Sequence, residues 1–234
     1  LKPSRPRRHG SLRLQPPSGR PQLFGAPLLI SIMAQPLRPL MCPAGSNVGR
    51  LAGAVAARIR QGAACEIEAV GPEAQHKAVK AVGMASRYLQ DDNAGSRLVF
   101  VPRRASLAAG RGGQPETVML RLQCHLLAGL ESTDSRDVIV GGDTNPGLAA
   151  KTVQEVLAQR SVATIGGMGP MAMSRALKTL VVANVYMRKS LRPGEAILAA
   201  PSVEDAGPDG DRIRFLLTCT RGEAKRASAA GTPE

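Results

Sequence analysis

Apolar positions along the chain switch between strand-like and helix-like spacing, and each switch falls at a Gly, Pro or Asn. A short apolar run, Leu37–Cys42, predicts a strand. Val48, Leu51, Ala52, Val55 and Ile59 then recur on one helical face, after Asn47 as the residue that accepts a helix-start N–H. Gly62 is the stop signal, and Cys65–Val70 predicts a second strand. Gly71-Pro72 turns the chain into a second helix, where Pro fits the first turn because that N–H has no helical partner. This helix runs to about Leu89 and is rich in small residues: Ala74, Ala78, Ala81, Gly83 and Ala85. Arg97–Val101 and Thr117–Leu126 predict a closing hairpin, which completes a β-α-β-α-β-β order.

The same grammar is written a second time. Sliding the chain against itself by 98 residues aligns Asn47–Leu89 with Asn145–Met187, with 13 of 43 positions identical. The second copy predicts strands at Val138–Val140 and Val162–Met168 and helices after Asn145-Pro146 and Gly169-Pro170, the latter to about Arg188. Its hairpin is Ala196–Ala200 with Arg212–Cys219. Pro102 matches Pro201 and Cys124 matches Cys219 at slightly different shifts. The expectation is an α+β protein: residues 1–40 as a leader, repeats over 41–127 and 135–221, and a tail over 222–234. Each repeat would be a four-stranded mixed sheet covered by two helices.

Composition sharpens this. Among 234 residues, 31 are Lys or Arg and 18 are Asp or Glu, for a formal charge of +13. Residues 1–40 hold seven cations and no acid, 41–127 hold eleven against six, and 128–221 hold eleven against ten. Basicity therefore belongs to the leader and the first repeat. Aromatics are 2%, with no Trp, which argues against a binder that stacks bases on aromatic rings. The longest apolar run, Leu28–Ala34, lies between prolines and is far short of the roughly 20 residues a bilayer requires. Cys42, Cys65, Cys124 and Cys219 form no C-x-x-C, and His9, His76 and His125 have no ligand spacing, so no metal, no disulfide framework and no cofactor are expected. The cysteines read as small buried apolar residues.

The leader is rich in Arg and Pro. Three readings fit it: a presequence for a mitochondrion or plastid, translated sequence upstream of Met33, or a basic arm of a cytoplasmic protein. Each gives an intracellular protein, and none gives this segment a fold of its own.

The run Cys65-Glu66-Ile67-Glu68-Ala69-Val70-Gly71-Pro72-Glu73-Ala74-Gln75-His76-Lys77-Ala78-Val79-Lys80-Ala81-Val82, with Asn47-Val48-x-x-Leu51-Ala52-Gly53 before it, resembles the core of the stage V sporulation protein S family. The second repeat is similar more weakly, through Asn145, Gly169-Pro170 and Ala176-x-Lys178. The resemblance implies an Alba-like fold. It also implies nucleic-acid binding as a dimer, through a basic loop after the first strand, the adjacent helix and a basic hairpin arm. Here the first loop, Pro43-Ala44-Gly45-Ser46, lacks Lys, and its nearest cation is Arg50. The second loop, Gly141-Gly142-Asp143-Thr144, carries an acid. The first hairpin connection is expected to hold Arg103, Arg104 and Arg111, while the second holds Glu204, Asp205, Asp209 and Asp211.

Lys77, Lys80 and Arg87 share a helical face, and Arg175 and Lys178 repeat the first two. That face is either a phosphate-binding stripe or a solvated surface. Gly166-Gly167-Met168-Gly169 lacks the Gly-Lys-Ser/Thr of a phosphate loop and reads as a strand-to-helix turn. His76 reads as a surface histidine, and Asp91-Asp92 as solvated loop acids. No nucleophile, base and orienting group assemble, so no enzyme is expected. The leading expectation is a binder of RNA or of DNA without sequence preference, using the first repeat, with the second as built-in dimer partner. The alternative is a scaffold assembling through its Ala-rich helices, and Alba-like surfaces also allow a homo-oligomer.

Overall fold

The computed structural model describes residues 38–92, 94–106, 118–130, 135–205 and 213–223. The first repeat comprises β1 (Leu40–Cys42), α1 (Val48–Arg60), β2 (Cys65–Val70), α2 (Pro72–Tyr88), β3 (Ser96–Ser106) and β4 (Val118–Ala128). The second comprises β5 (Val138–Val140), α3 (Pro146–Arg160), β6 (Val162–Met168), α4 (Gly169–Met187), β7 (Glu195–Asp205) and β8 (Ile213–Glu223). The expected tandem β-α-β-α-β-β order is present. The start signals also act as read: Asn47 Oδ1 accepts the Arg50 N–H at 3.0 Å, and Asn145 Oδ1 accepts the Gly147 N–H at 2.8 Å. Gly71 and Gly169 turn strand into helix at φ +82° and +79°, a region closed to most residues.

The two small sheets are one. Eight strands run in the order β1-β2-β4-β3-β7-β8-β6-β5, joined by an antiparallel pair at Phe100 and Ala199. Register shows the symmetry of this joint. Phe100 lies opposite Cys124 in its own repeat, and Ala199 lies opposite Cys219 in the other, so the bridging residues are equivalents. A residue that meets its own equivalent marks a two-fold axis. The chain thus builds inside itself the arrangement of a symmetric dimer. Pro102 and Pro201 follow two residues beyond the bridge on the two strands, and a proline cannot donate to a ladder.

All four helices pack on one face. Cys65, Ile67 and Ala69 of β2, Leu98 and Phe100 of β3, and their counterparts Ile165, Ile197 and Ala199 share a single core with the helices. Across the axis α2 packs on α4. Ala74, Ala78, Ala81 and Ala85 are 0% exposed, so the small-residue face of α2 is already covered within the chain. That corrects the expectation of assembly through the Ala-rich helix.

The alternate residues Val99, Val101, Ala196, Leu198 and Ala200 form a second cluster on the opposite face, with Leu127 and Leu130 against it. The link from β4 to β5 has to span five strand intervals, about 24 Å at ~4.8 Å each. Its far end is stapled to β6. Asp137 accepts the Thr164 N–H at 2.9 Å and an N–H of Arg160, and the Asp137 N–H donates to Thr164 Oγ1 at 3.0 Å.

Candidate nucleic-acid interface

The axis generates two equivalent clefts, each between the second helix of one repeat and the third strand of the other. The first, of about 410 Å³, is lined by Lys80, Gly83, Met84, Ser86, Arg87, Gln90 and Arg97 of the first repeat and by Pro201 and Ser202 of β7. It carries three cations and no acid. β7 lies close to α2 at Gly83, where a Cβ would make ordinary contact with the Pro201 carbonyl oxygen at 3.7 Å. The second cleft, of about 480 Å³, is lined by Arg103 of β3 with Asn184, Arg188, Leu191, Arg192, Pro193, Gly194 and Glu195. Its one carboxylate, Glu195, accepts the Arg192 N–H at 2.8 Å. Beside it, Arg104 and Lys178 flank a smaller apolar hollow of about 240 Å³ floored by Leu120, Pro146, Val181 and Val182.

The sequence-predicted residues separate by what holds them. Lys80 and Arg87 come together and gain Arg97. Lys77 and Arg175 do the same structural job in the two repeats. Lys77 Nζ donates to the Ala44 carbonyl, and Arg175 Nε donates to the Gly142 carbonyl at 3.0 Å, each clamping the loop between first strand and first helix. Arg50 is exposed on the first helix, outside these clefts. His76, half-buried one turn before Lys80, has its pKa lowered by burial and then by the Lys80 charge.

Arg103 and Arg104 require a correction. The pattern put them in a flexible connection, but β3 continues through Pro102, and both are strand residues opposite Arg121 and Leu120. Successive side chains diverge along a strand, so the two arginines line separate hollows, Arg103 with Asn184 and Arg188 and Arg104 with Lys178 and Val182, rather than one finger. Arg121 itself is engaged, its Nε donating to Glu68 at 2.9 Å. Arg111 lies outside the described residues, as do Asp209 and Asp211. Glu204 and Asp205 are the last residues of β7 rather than loop residues.

Sequence reasoning missed Arg97, Arg188, Arg192 and Ser202, because the clefts join residues of different repeats. One available signal was the identity of Tyr88 and Tyr186 in the aligned copies: both are exposed at the end of their helices. The copies also diverge on this surface. Arg50 and Arg87 correspond to Leu148 and Val185, each 65% exposed. Among the described residues no three His, Cys, Asp or Glu side chains come together to hold a metal ion, and no helix is long and apolar enough to cross a membrane.

Residues 39–122 match the family model for Stage V sporulation protein S. The match spans the first repeat from β1 into β4, so the second repeat rests on the internal symmetry. No curated protein matches the chain.

Proposed function

We propose that this chain, whose first repeat belongs to the stage V sporulation protein S family, is a non-enzymatic protein that binds the phosphate backbone of RNA or of DNA without sequence preference. The observation that carries the reading is the acid-free cleft of Lys80, Arg87 and Arg97 at the joint between repeats. Guanidinium and ammonium groups collected without a compensating carboxylate favour an anion, and a polyanion gains further from release of its counterions. Arg103, Arg188 and Arg192 extend the charge to the equivalent cleft, so the second repeat contributes cations as well as completing the sheet. With few aromatics, affinity rests on charge and hydrogen bonds to phosphate. Fluorescence anisotropy with a single-stranded RNA and a duplex DNA tests this. Replacing Lys80, Arg87 and Arg97 together by Ala should weaken binding by at least about tenfold at low salt. Unchanged affinity of a folded triple variant would reject the cleft as the site.

A second reading, protein assembly, is favoured by the exchange of Arg50 and Arg87 for exposed Leu148 and Val185 in the second repeat. Exposed apolar side chains beside Tyr186 suit a protein partner better than a phosphate. Under this reading Val185→Arg abolishes a self-association visible by sedimentation. A chain monomeric at all concentrations removes self-association.

A further inference from the structure

We propose that Cys65 and Cys124 form an oxidisable dithiol that closes a cross-strand disulfide when the protein meets a hydroperoxide. The two residues lie directly opposite one another in the antiparallel β2–β4 pair, both facing the helices. Directly opposed residues have Cβ atoms about 4.5–5.5 Å apart, and a disulfide needs about 3.5–4.5 Å, so closure takes only a small approach of the strands. The neighbouring Cys124 thiol and the nearby Arg58 charge hold the Cys65 thiol below its ordinary pKa despite burial, while Cys124 is held well above it. Arg58 Nη1 is itself buried with no hydrogen-bond partner among the described residues, a donor left over beside a potential thiolate. Cys65 opens its strand next to the loop after α1, where local opening admits a small oxidant. The second repeat is a built-in control, since Ala163 stands opposite Cys219.

In the reaction, the Cys65 thiolate attacks one peroxide oxygen. The O–O bond breaks, water leaves after protonation, and Cys65 becomes a sulfenic acid. Cys124 sulfur then attacks Cys65 sulfur. The S–OH bond breaks, a second water leaves, and the S–S bond forms. Two thiols and one hydrogen peroxide give one disulfide and two waters. The closed loop of residues 65–124 contains Lys80, Arg87 and Arg97, so oxidation tethers the segment that carries the cationic cleft.

The test treats the full chain with hydrogen peroxide, then unfolds it in an alkylating reagent and maps the peptides by mass spectrometry. The expected product is a Cys65–Cys124 linked peptide that dithiothreitol reverses, with Cys42 and Cys219 alkylated throughout. The oxidised protein should also melt at a higher temperature than the reduced one. In Cys124→Ser, Cys65 should stop at a sulfenic acid that dimedone traps. Arg58→Gln should slow linkage several-fold, and Arg58→Lys should restore it. Full alkylation of Cys65 and Cys124 after oxidation, or oxidation of all four cysteines at one rate, would overturn the proposal.

Discussion

Gly167 and Ala69 occupy the same place in the two repeats, and their cross-strand neighbours have changed with them. Ala69 faces Leu120, whereas Gly167 faces Phe215. A Cβ at Gly167 would meet the Phe215 ring at 2.9 Å and the Val140 carbonyl oxygen at 2.7 Å. The larger ring has taken the volume the methyl group gave up. Gly167→Ala should therefore cost about 1–3 kcal/mol by overpacking, read from chemical denaturation. Adding Phe215→Leu should recover part of that loss, a coupling a double-mutant cycle measures. The glycine run was legible as a turn only at Gly169, because the reason for Gly167 lies on a strand 48 positions further along the chain. Asp137 makes a second residue-scale case. Burial alone would raise its pKa, but the Thr164 N–H and the Arg160 guanidinium outweigh burial and hold it below the ordinary value. A depressed carboxylate pKa contributes stability that is complete above the unfolded value, about 3.9, and is lost as pH falls through the folded one. Thermal melts from pH 6 downward should show Asp137→Asn losing less stability on acidification than the parent.

At the scale of elements, the helices and inner strands were readable because each carries its own punctuation. Asn47, Asn145, Gly71-Pro72 and Gly169-Pro170 all act where they stand. The third strands were readable only up to their prolines, because Pro102 and Pro201 look like ends, yet both strands run on to Ser106 and Asp205. The prolines are tolerated because β3 and β7 pair with each other only at Phe100 and Ala199. Strand length thus changes the picture: Arg103 and Arg104, expected in one flexible arm, are strand residues that line two separate hollows. The cationic stripe divides in a similar way. Lys77 and Arg175 hold loops. Ser86 accepts the Leu98 N–H at 3.1 Å and its equivalent Asn184 accepts the Ile197 N–H at 2.8 Å, tying each second helix to the following strand. Lys77→Ala and Arg175→Ala should each lower stability by about 1 kcal/mol while leaving oligonucleotide affinity nearly unchanged. A large loss of affinity without loss of stability would return both residues to the binding surface.

For the whole molecule, duplication was legible from the offset of 98, yet the fusion of both repeats into one sheet was not, since no local pattern encodes a contact between Phe100 and Ala199. The two positions on the axis are free to differ within one chain, and they do, a large ring against a methyl group. The same freedom let the outer surfaces diverge, with Arg50 and Arg87 on one side and Leu148 and Val185 on the other. The clefts belong to neither repeat alone. The most direct measurement is the salt dependence of oligonucleotide affinity for the parent chain and for the Lys80→Ala, Arg87→Ala, Arg97→Ala triple variant. Each phosphate neutralised contributes about 0.9 to the slope of log affinity against log salt on duplex DNA. The expected result is a slope shallower by about 2 to 3 in the variant. Equal slopes in two folded proteins would contradict a phosphate site at the joint between the repeats.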